Sequence, residues 1–489
     1  MNEIKFDFNN MLNSCVGDTH GAKESQLLEA LDTVNKAHLH LQNLLKDNRD
    51  RINLSLEWAQ LPFQSEETIK KIQSLAKEIT KKYDNVISLG IGGSYLGLKA
   101  AQDALAAAYY NEFASLRKGP KIYFEGNNLD PSTLHVLLKN LNPKKTFVIV
   151  ISKSGETTET KAAFMILEDW LKKAVGKNYG RQIIAITDPV SGTLRKKTEE
   201  EQKKDPLSFR SLPLLKGVGG RFSEFNMGLL HLALLGINIK DVLNGAKAML
   251  ERCQNPDLFK NPAYMYAALH TILYKQKGKS IAIMMPFSET LKSTADWYCQ
   301  LLAESLGKKY GRIIRRKDDG AEVWVNDKNN ILNVGRTPVA CRGTNDLHSI
   351  QQNNIEGEND KVVTFIRVEN FKNDIKIKTK NDILSGRNFS ELLKLAQEAT
   401  EWALVRESRP NCTIIMPEIT PYSWGGLLFF FEMATAFEGE LLGINAFDQP
   451  GVEGYKNYMY YKLEKPGIAK EITEEIKNNP LIKNDKFIL

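Results

Sequence analysis

The stretch "TFVIVISKSGETTET" covers residues 146–160. Residues 146–151 are an unbroken run of β-branched and aromatic side chains, the composition of a strand buried on both faces. The next residues change character abruptly. Ser152, Lys153, Ser154, Gly155, Thr157, Thr158 and Thr160 stand among two glutamates, and "TKAAFMILEDWLKKAV" (160–175) then has helical periodicity. A continuous apolar strand that passes through a tight polar turn into a helix is one step of a parallel α/β sheet.

The same step recurs to either side. "NVISLG" (85–90), "KIYFE" (121–125) and "IIAITD" (183–188) read as strands, separated by "YLGLKAAQDALAAAYY" (95–110) and "STLHVLLKNL" (132–141) as helices. After a helical stretch near 225–275 the pattern restarts with "SIAIMMPFS" (280–288), "EVWVN" (322–326), "VVTFIRV" (362–368) and "TIIMPE" (413–418). "IVISKSGETTET" and "IAIMMPFSETLKST" share a layout of strand, hydroxyl-rich turn and helix, a weak internal repeat. The expected fold is therefore α/β, with two three-layer αβα domains on mainly parallel sheets. The expected boundaries are a helical lead-in at 1–80, domains at 81–240 and 241–464, and a terminal helix and tail at 465–489. The polar stretch 369–388 is expected to be surface elaboration.

The 489 residues suffice for two or three domains. A net charge of +7 over that length is too small to indicate nucleic acid, although it leaves room for a local anion site. Five scattered cysteines with no CxxC suggest neither a disulfide framework nor a zinc site, and a reducing compartment is the simplest reading. The first residues lack an apolar signal segment. "WGGLLFFFEMATAF" (424–437) is too short to span a bilayer and contains Glu432, so it reads as a core helix. No membrane association, metal or cofactor is expected, and the expected location is cytoplasmic.

Two turns bear on function. "SLGIGGSYLG" (88–97) begins like a GxGxxG dinucleotide fingerprint with Gly90 and Gly92, but Tyr95 occupies the third glycine position. A plain tight turn and an anion-facing helix start are the other readings. The turn at 152–157 is more telling. A strand-to-helix turn lies at the carboxyl edge of a parallel sheet, where free N–H groups and the helix dipole favour an anion. Helix capping needs one hydroxyl residue there, not four. Small hydroxyls beside a lysine suit the many acceptor lone pairs of a phosphate monoester.

Taken in order along the chain, these turns resemble those of sugar-isomerase (SIS) domains, and further motifs narrow the resemblance to the glucose-6-phosphate isomerase family, in its shorter bacterial-type branch. "GVGGRFSEFNMGLL" (217–230), "AESLGKK" (303–309), "GTNDLHSIQQ" (343–352) and "NAFDQPGVEGYK" (445–456) are similar to that family's signatures and keep its order. Two departures are Leu306, where Asn is common, and Pro450, where an aromatic is frequent. The resemblance implies that Ser152, Lys153, Ser154 and Thr157 hold a substrate phosphate. It places Gly92 and Ser94 at the sugar and makes Gln300 and Gln449 substrate contacts. It also implies that Glu304 is the catalytic base and Arg221 the active-site arginine. His348 and Lys456 would open the sugar ring, with Glu159 orienting the histidine.

The implied reaction converts glucose 6-phosphate to fructose 6-phosphate by ring opening and proton transfer between C2 and C1 through a cis-enediol. The residue types suit it. Imidazole titrates near neutrality and can open the ring, while guanidinium stays charged to stabilise an oxyanion. Glu304 falls in the last turn of a helix ending at Gly307, a place suited to a base. Singly, Glu304 with Lys308 reads as a surface ion pair, His348 as a helix start, Arg221 as a loop anchor and Lys456 as part of a solvated helix face. The joint pattern carries the functional reading. A dual glucose/mannose phosphate isomerase and a non-catalytic sugar-phosphate sensor are the alternatives. An aminosugar-phosphate amidotransferase would need an N-terminal Cys, and the first here is Cys15. The family resemblance also implies a homodimer with shared active sites.

Overall fold

The computed structural model describes residues 3–489. These form two compact units, one running to Ala446 and a small one, Phe447–Leu489. Twelve strands occur among the described residues: β1 Lys5–Asp7, β2 Asn85–Leu89, β3 Lys121–Glu125, β4 Thr146–Ile151, β5 Ile183–Thr187, β6 Arg210–Pro213, β7 Ile281–Pro286, β8 Lys308–Arg316, β9 Glu322–Val334, β10 Thr337–Ala340, β11 Lys361–Asn370 and β12 Asn411–Glu418.

The first sheet has the order β3-β2-β4-β5-β6 and is parallel throughout. Every residue of β2, β4 and β5 is buried, which explains their continuous apolar sequences. Alternation sorts their side chains to two faces. Ile87, Leu89, Val148 and Val150 pack under helices Pro131–Asn140, Thr158–Val175 and Thr193–Lys204. On the other face Phe147 meets Tyr83, and the Ser88 hydroxyl bonds His231 at 2.8 Å. The result is the expected three-layer α/β/α arrangement.

The second sheet has the order β1-β12-β11-β7-β10, parallel except for β1, which runs antiparallel along β12. Its order corrects two expectations. "EVWVN" lies in β9, which pairs antiparallel with β8 in a separate two-stranded hairpin, and β10 takes the place beside β7. The cause is the half-exposed alternation of β9, unlike the continuous burial of a central strand. The internal repeat also maps differently. β7 stands in its sheet where β2 stands in the first, between its two nearest neighbours, so β7 corresponds to β2 and not to β4.

The helix Pro421–Leu442 holds this unit together. Every residue from Ser423 to Gly439 is buried, as expected of a helix that is apolar all round. Helices Glu24–Lys46, Ile239–Cys253, Pro262–Lys277 and Lys292–Leu306 pack against it. Among the described residues no helix is long and apolar enough to cross a membrane. In the small unit, the helices Glu453–Lys462 and Lys470–Asn478 have no buried residue.

The β8–β9 hairpin is clamped through His40. One ring nitrogen bonds Glu322 of β9 at 2.9 Å and the other bonds Glu440 of the central helix at 2.7 Å. The hydrogen bond to Glu322, then that to Glu440, pushes the imidazole up to about 9. The folded value lies above the unfolded one, so this stability is complete below pH ~6.5 and is lost as pH rises through about 9. Equilibrium unfolding should therefore show His40→Asn destabilised on the order of 2–3 kcal/mol at pH 6 and much less at pH 10. A pH-independent difference would contradict the clamp.

Candidate active site

In the first sheet the chain leaves β2 for β3 on one side, then returns to β4 on the other. The carboxyl ends of β2 and β4 thus flank a topological switch point, the crevice where open α/β sheets bind ligands. Both turns singled out in the sequence lie there. Gly92–Ser94 is a short turn of 3-10 helix after β2, and residues 152–157 connect β4 to the helix Thr158–Val175.

The turn at 152–157 organises itself with its own hydroxyls. Ser152 Oγ accepts from the Gly155 amide at 3.0 Å and Ser154 Oγ from the Glu156 amide at 3.1 Å. A hydroxyl that accepts still has its own proton to donate. Thr157 is the N-cap residue, yet its side chain makes no capping bond. Ser152 is buried, whereas Lys153 and Ser154 are exposed. The four residues therefore divide between shaping the turn and facing outward from a helix N-terminus.

A second turn, Gly220–Phe222, closes on the first. A Cβ on Gly93 would lie 2.1 Å from the Gly220 carbonyl oxygen, so only glycine permits this approach. It delivers Arg221, which is 2 % exposed, to the last turns of the helix Lys292–Leu306. Its Nε donates to Ser305 Oγ at 2.8 Å, and a terminal nitrogen pairs with Glu304 Oε2 at 3.2 Å. Its other terminal nitrogen donates to the Ala446 carbonyl at 2.7 Å. Gln300, one turn before Glu304 on the same helix face, donates to Glu304 Oε1 at 3.0 Å. A Cβ on Gly92 would lie 2.9 Å from Gln300 Nε2. The Glu304 carboxylate is thus held at both oxygens while its side chain remains 30 % exposed. Gly307 ends the helix as its C-cap. Lys308 is buried, and its Nζ donates to the Glu304 carbonyl oxygen at 2.5 Å, which corrects the picture of an exposed surface lysine.

Gly92, Arg221, Gln300 and Glu304 are therefore brought together, with Ser94 in the same turn as Gly92 and Ser152–Thr157 after the adjacent strand. His348 is exposed at the end of the short turn Asn345–His348, and its side chain forms no hydrogen bond with any described residue. Glu159 lies in the first turn of the helix after the hydroxyl-rich turn. It forms no hydrogen bond with His348 within the chain. Gln449 and Lys456 belong to the small unit. There Gln449 precedes the turn Pro450–Val452, and Lys456 Nζ bonds Glu453 at 2.8 Å. Ser305 and Gly93 were not singled out in the sequence. Their roles arise from contacts between segments more than 80 residues apart.

Fold and site define an α/β protein with two five-stranded sheets, whose glycine-rich and hydroxyl-rich turns lie at a switch point beside a paired arginine and glutamate. The family model described as "Phosphoglucose isomerase" matches residues 62–478. A glucose-6-phosphate isomerase of Carboxydothermus hydrogenoformans is 40% identical over 495 residues, covering 99% of each chain. A hypothetical protein of Thermus thermophilus superposes with a TM-score of 0.79 at 29% identity, over 94% of this chain and 100% of that one. A glucose-6-phosphate isomerase of Chlamydia trachomatis shares the fold, with a TM-score of 0.74 at 20% identity and 96% coverage of each chain. The chain belongs to the phosphoglucose isomerase family.

The Gly93–Gly220 approach makes an asymmetric prediction. Gly93→Ala drives a methyl into backbone and should cost about 1–3 kcal/mol, whereas a Cβ at Gly220 meets nothing within 4 Å. Unfolding midpoints should fall for Gly93→Ala and stay within a degree or two of wild type for Gly220→Ala. Equal effects would contradict the approach described.

Proposed function

We propose that this protein interconverts glucose 6-phosphate and fructose 6-phosphate as an aldose–ketose isomerase. The observation that carries the reading is the Glu304 carboxylate, held by Arg221 and Gln300 beside the switch-point turns. It occurs in a chain 40% identical, over nearly its full length, to a glucose-6-phosphate isomerase. Ser152, Lys153, Ser154 and Thr157 with the following helix N-terminus hold the phosphate. Gly92, Ser94 and Gln300 contact the sugar. Glu304 moves the proton between C2 and C1, and Arg221, always charged, stabilises the enediolate oxygen. For Lys456 and Gln449, support for ring opening and substrate contact comes from the motif match alone.

His348 and Glu159 complete the reading through a homodimer. An exposed histidine whose side chain has no hydrogen-bond partner among the described residues is consistent with donation to a neighbouring subunit, where Glu159 would orient it. A closed two-fold arrangement lets each chain give and receive the loop. The cytoplasm is the proposed location, and 81–240 and 241–464 the proposed domains.

A coupled assay on purified protein should show fructose 6-phosphate turnover. An inactive, folded protein that still binds sugar phosphate would instead favour a sensor. Glu304→Gln should lower kcat by ~10²–10⁴-fold with KM nearly unchanged, since the base acts only in proton transfer. Thr157→Val should raise KM and the inhibition constant of inorganic phosphate together. Mixing inactive His348→Ala and Glu304→Gln chains should restore activity, because one of the two sites in a mixed dimer has both native groups. Mixed dimers as inactive as their parents would contradict the shared site.

A further inference from the structure

Three residues beyond Arg221 in the same segment, Glu224 is 4 % exposed, and Glu432 in the middle of the central helix is 0 % exposed. Glu224 Oε1 accepts from the Trp297 indole N–H at 2.8 Å. Among the described residues no donor reaches Glu224 Oε2 or either oxygen of Glu432 in hydrogen-bonding geometry, although the backbone amides of Glu224 and Ser223 also favour the charged form of Glu224. The two carboxyls lie close enough for each to act on the other's hold on a proton. Two carboxylates have no proton between them and cannot bond, and two bare charges in this apolar interior would repel strongly. A proton must therefore lie between them.

Among the described residues no nearby cation offers another solution. Arg221 is directed to Glu304 and Ser305. On the surrounding elements Lys99 pairs with Asp103, Arg51 with Glu57, Lys240 with Glu66, and His40 with Glu322 and Glu440. Asp296 is subject to Lys292, Asp103 and Lys99. His270 lies against Arg336, and His231, which burial pushes down to about 4, bonds Ser88. Burial and then the neighbouring Glu224 charge disfavour an ionised Glu432.

We propose that Glu224 and Glu432 form a proton-sharing acid–carboxylate pair that positions the Arg221 turn against the Glu304 helix. The linkage is continuous. Arg221 and Glu224 sit on one short segment, and Trp297 and Glu304 lie seven residues apart on one face of the helix Lys292–Leu306. Phe225 packs on Phe429 of the central helix, with ring centroids 6.5 Å apart. Gly97 leaves the room for Glu224, since a Cβ there would lie 2.4 Å from the Glu224 Cγ. Both are positioning residues. The role rests on the assignment of Arg221 and Glu304 to the isomerisation, but the pair itself can be tested without it.

Burial pushes Glu224 up to about 7 and raises Glu432 well above the usual carboxylate range. Folded values above unfolded ones contribute stability below pH ~4.5 that is lost as pH rises through about 7 and beyond. Infrared spectra of the whole protein in D2O at pH 8 should show a protonated-carboxyl carbonyl band that Glu432→Gln removes, because ordinary carboxyls are ionised there. The decline of Tm between pH 6 and 9 should be shallower in Glu432→Gln. In the isomerase assay, Glu224→Gln, which can still accept from Trp297 and donate to Glu432, should keep kcat within about twofold. Glu224→Leu should lose about tenfold or more in kcat with KM within about twofold. A missing infrared band overturns the pair whatever the activity. Equal kcat in the Gln and Leu variants overturns the positioning role even if the band is present.

Discussion

Everything in the candidate site depends on bringing a permanently charged guanidinium into a nearly dry interior. Arg221 cannot lose its proton there, so its charge and donors must be met by fixed partners. Ser305, the Glu304 carboxylate and the Ala446 carbonyl meet them from two further segments of the chain. The contact of Gly93 with the Gly220 carbonyl sets the depth at which the arginine enters. The first sheet supplies one side of this junction through the turn after β2. The helix that follows β7 of the second sheet supplies the other. The catalytic reading follows from this constraint, since the carboxylate that matches the arginine is also the one left partly open.

The strands legible in the sequence were mostly those with a continuous buried stretch, although the half-buried β3 was also recognised. β2, β4, β5, β7, β11 and β12 show as apolar runs because both faces are covered. β1, β6 and β10 were missed because KFD, RSLP and TPVA are only three or four residues each, too short to show a pattern, and β8 because its mostly half-exposed sequence KKYGRIIRR is rich in basic residues. "EVWVN" misled because a half-buried hairpin strand uses the same β-branched residues as a central one. The helix "YLGLKAAQDALAAAYY" ends at Leu105, five residues before the run suggests. Alanine favours a helix locally but does not supply the packing that prolongs it.

In the site, residue types were readable and pairings were not. The hydroxyl-rich turn was recognisable, but not that the Ser152 and Ser154 hydroxyls accept from the turn's Gly155 and Glu156 amides. Arg221 and Glu304 were recognisable from their motifs, while Ser305 gains meaning only from contact with Arg221. Glu432 stood out in the sequence as the one charge in the apolar stretch 424–437. Its partner Glu224 did not, because an acid beside two aromatic residues looks ordinary until Trp297 and Glu432 surround it. No hydrogen bond joins His348 and Glu159 among the described residues, so this chain by itself does not display the partnership that the family resemblance implies.

The most direct test is a crystal structure of the protein with a phosphorylated sugar acid whose carboxylate imitates the enediolate. The phosphate should bind at residues 152–157, and the carboxylate should lie against Arg221 within hydrogen-bonding reach of Glu304. A phosphate bound elsewhere, or a carboxylate remote from Arg221 and Glu304, would contradict the account.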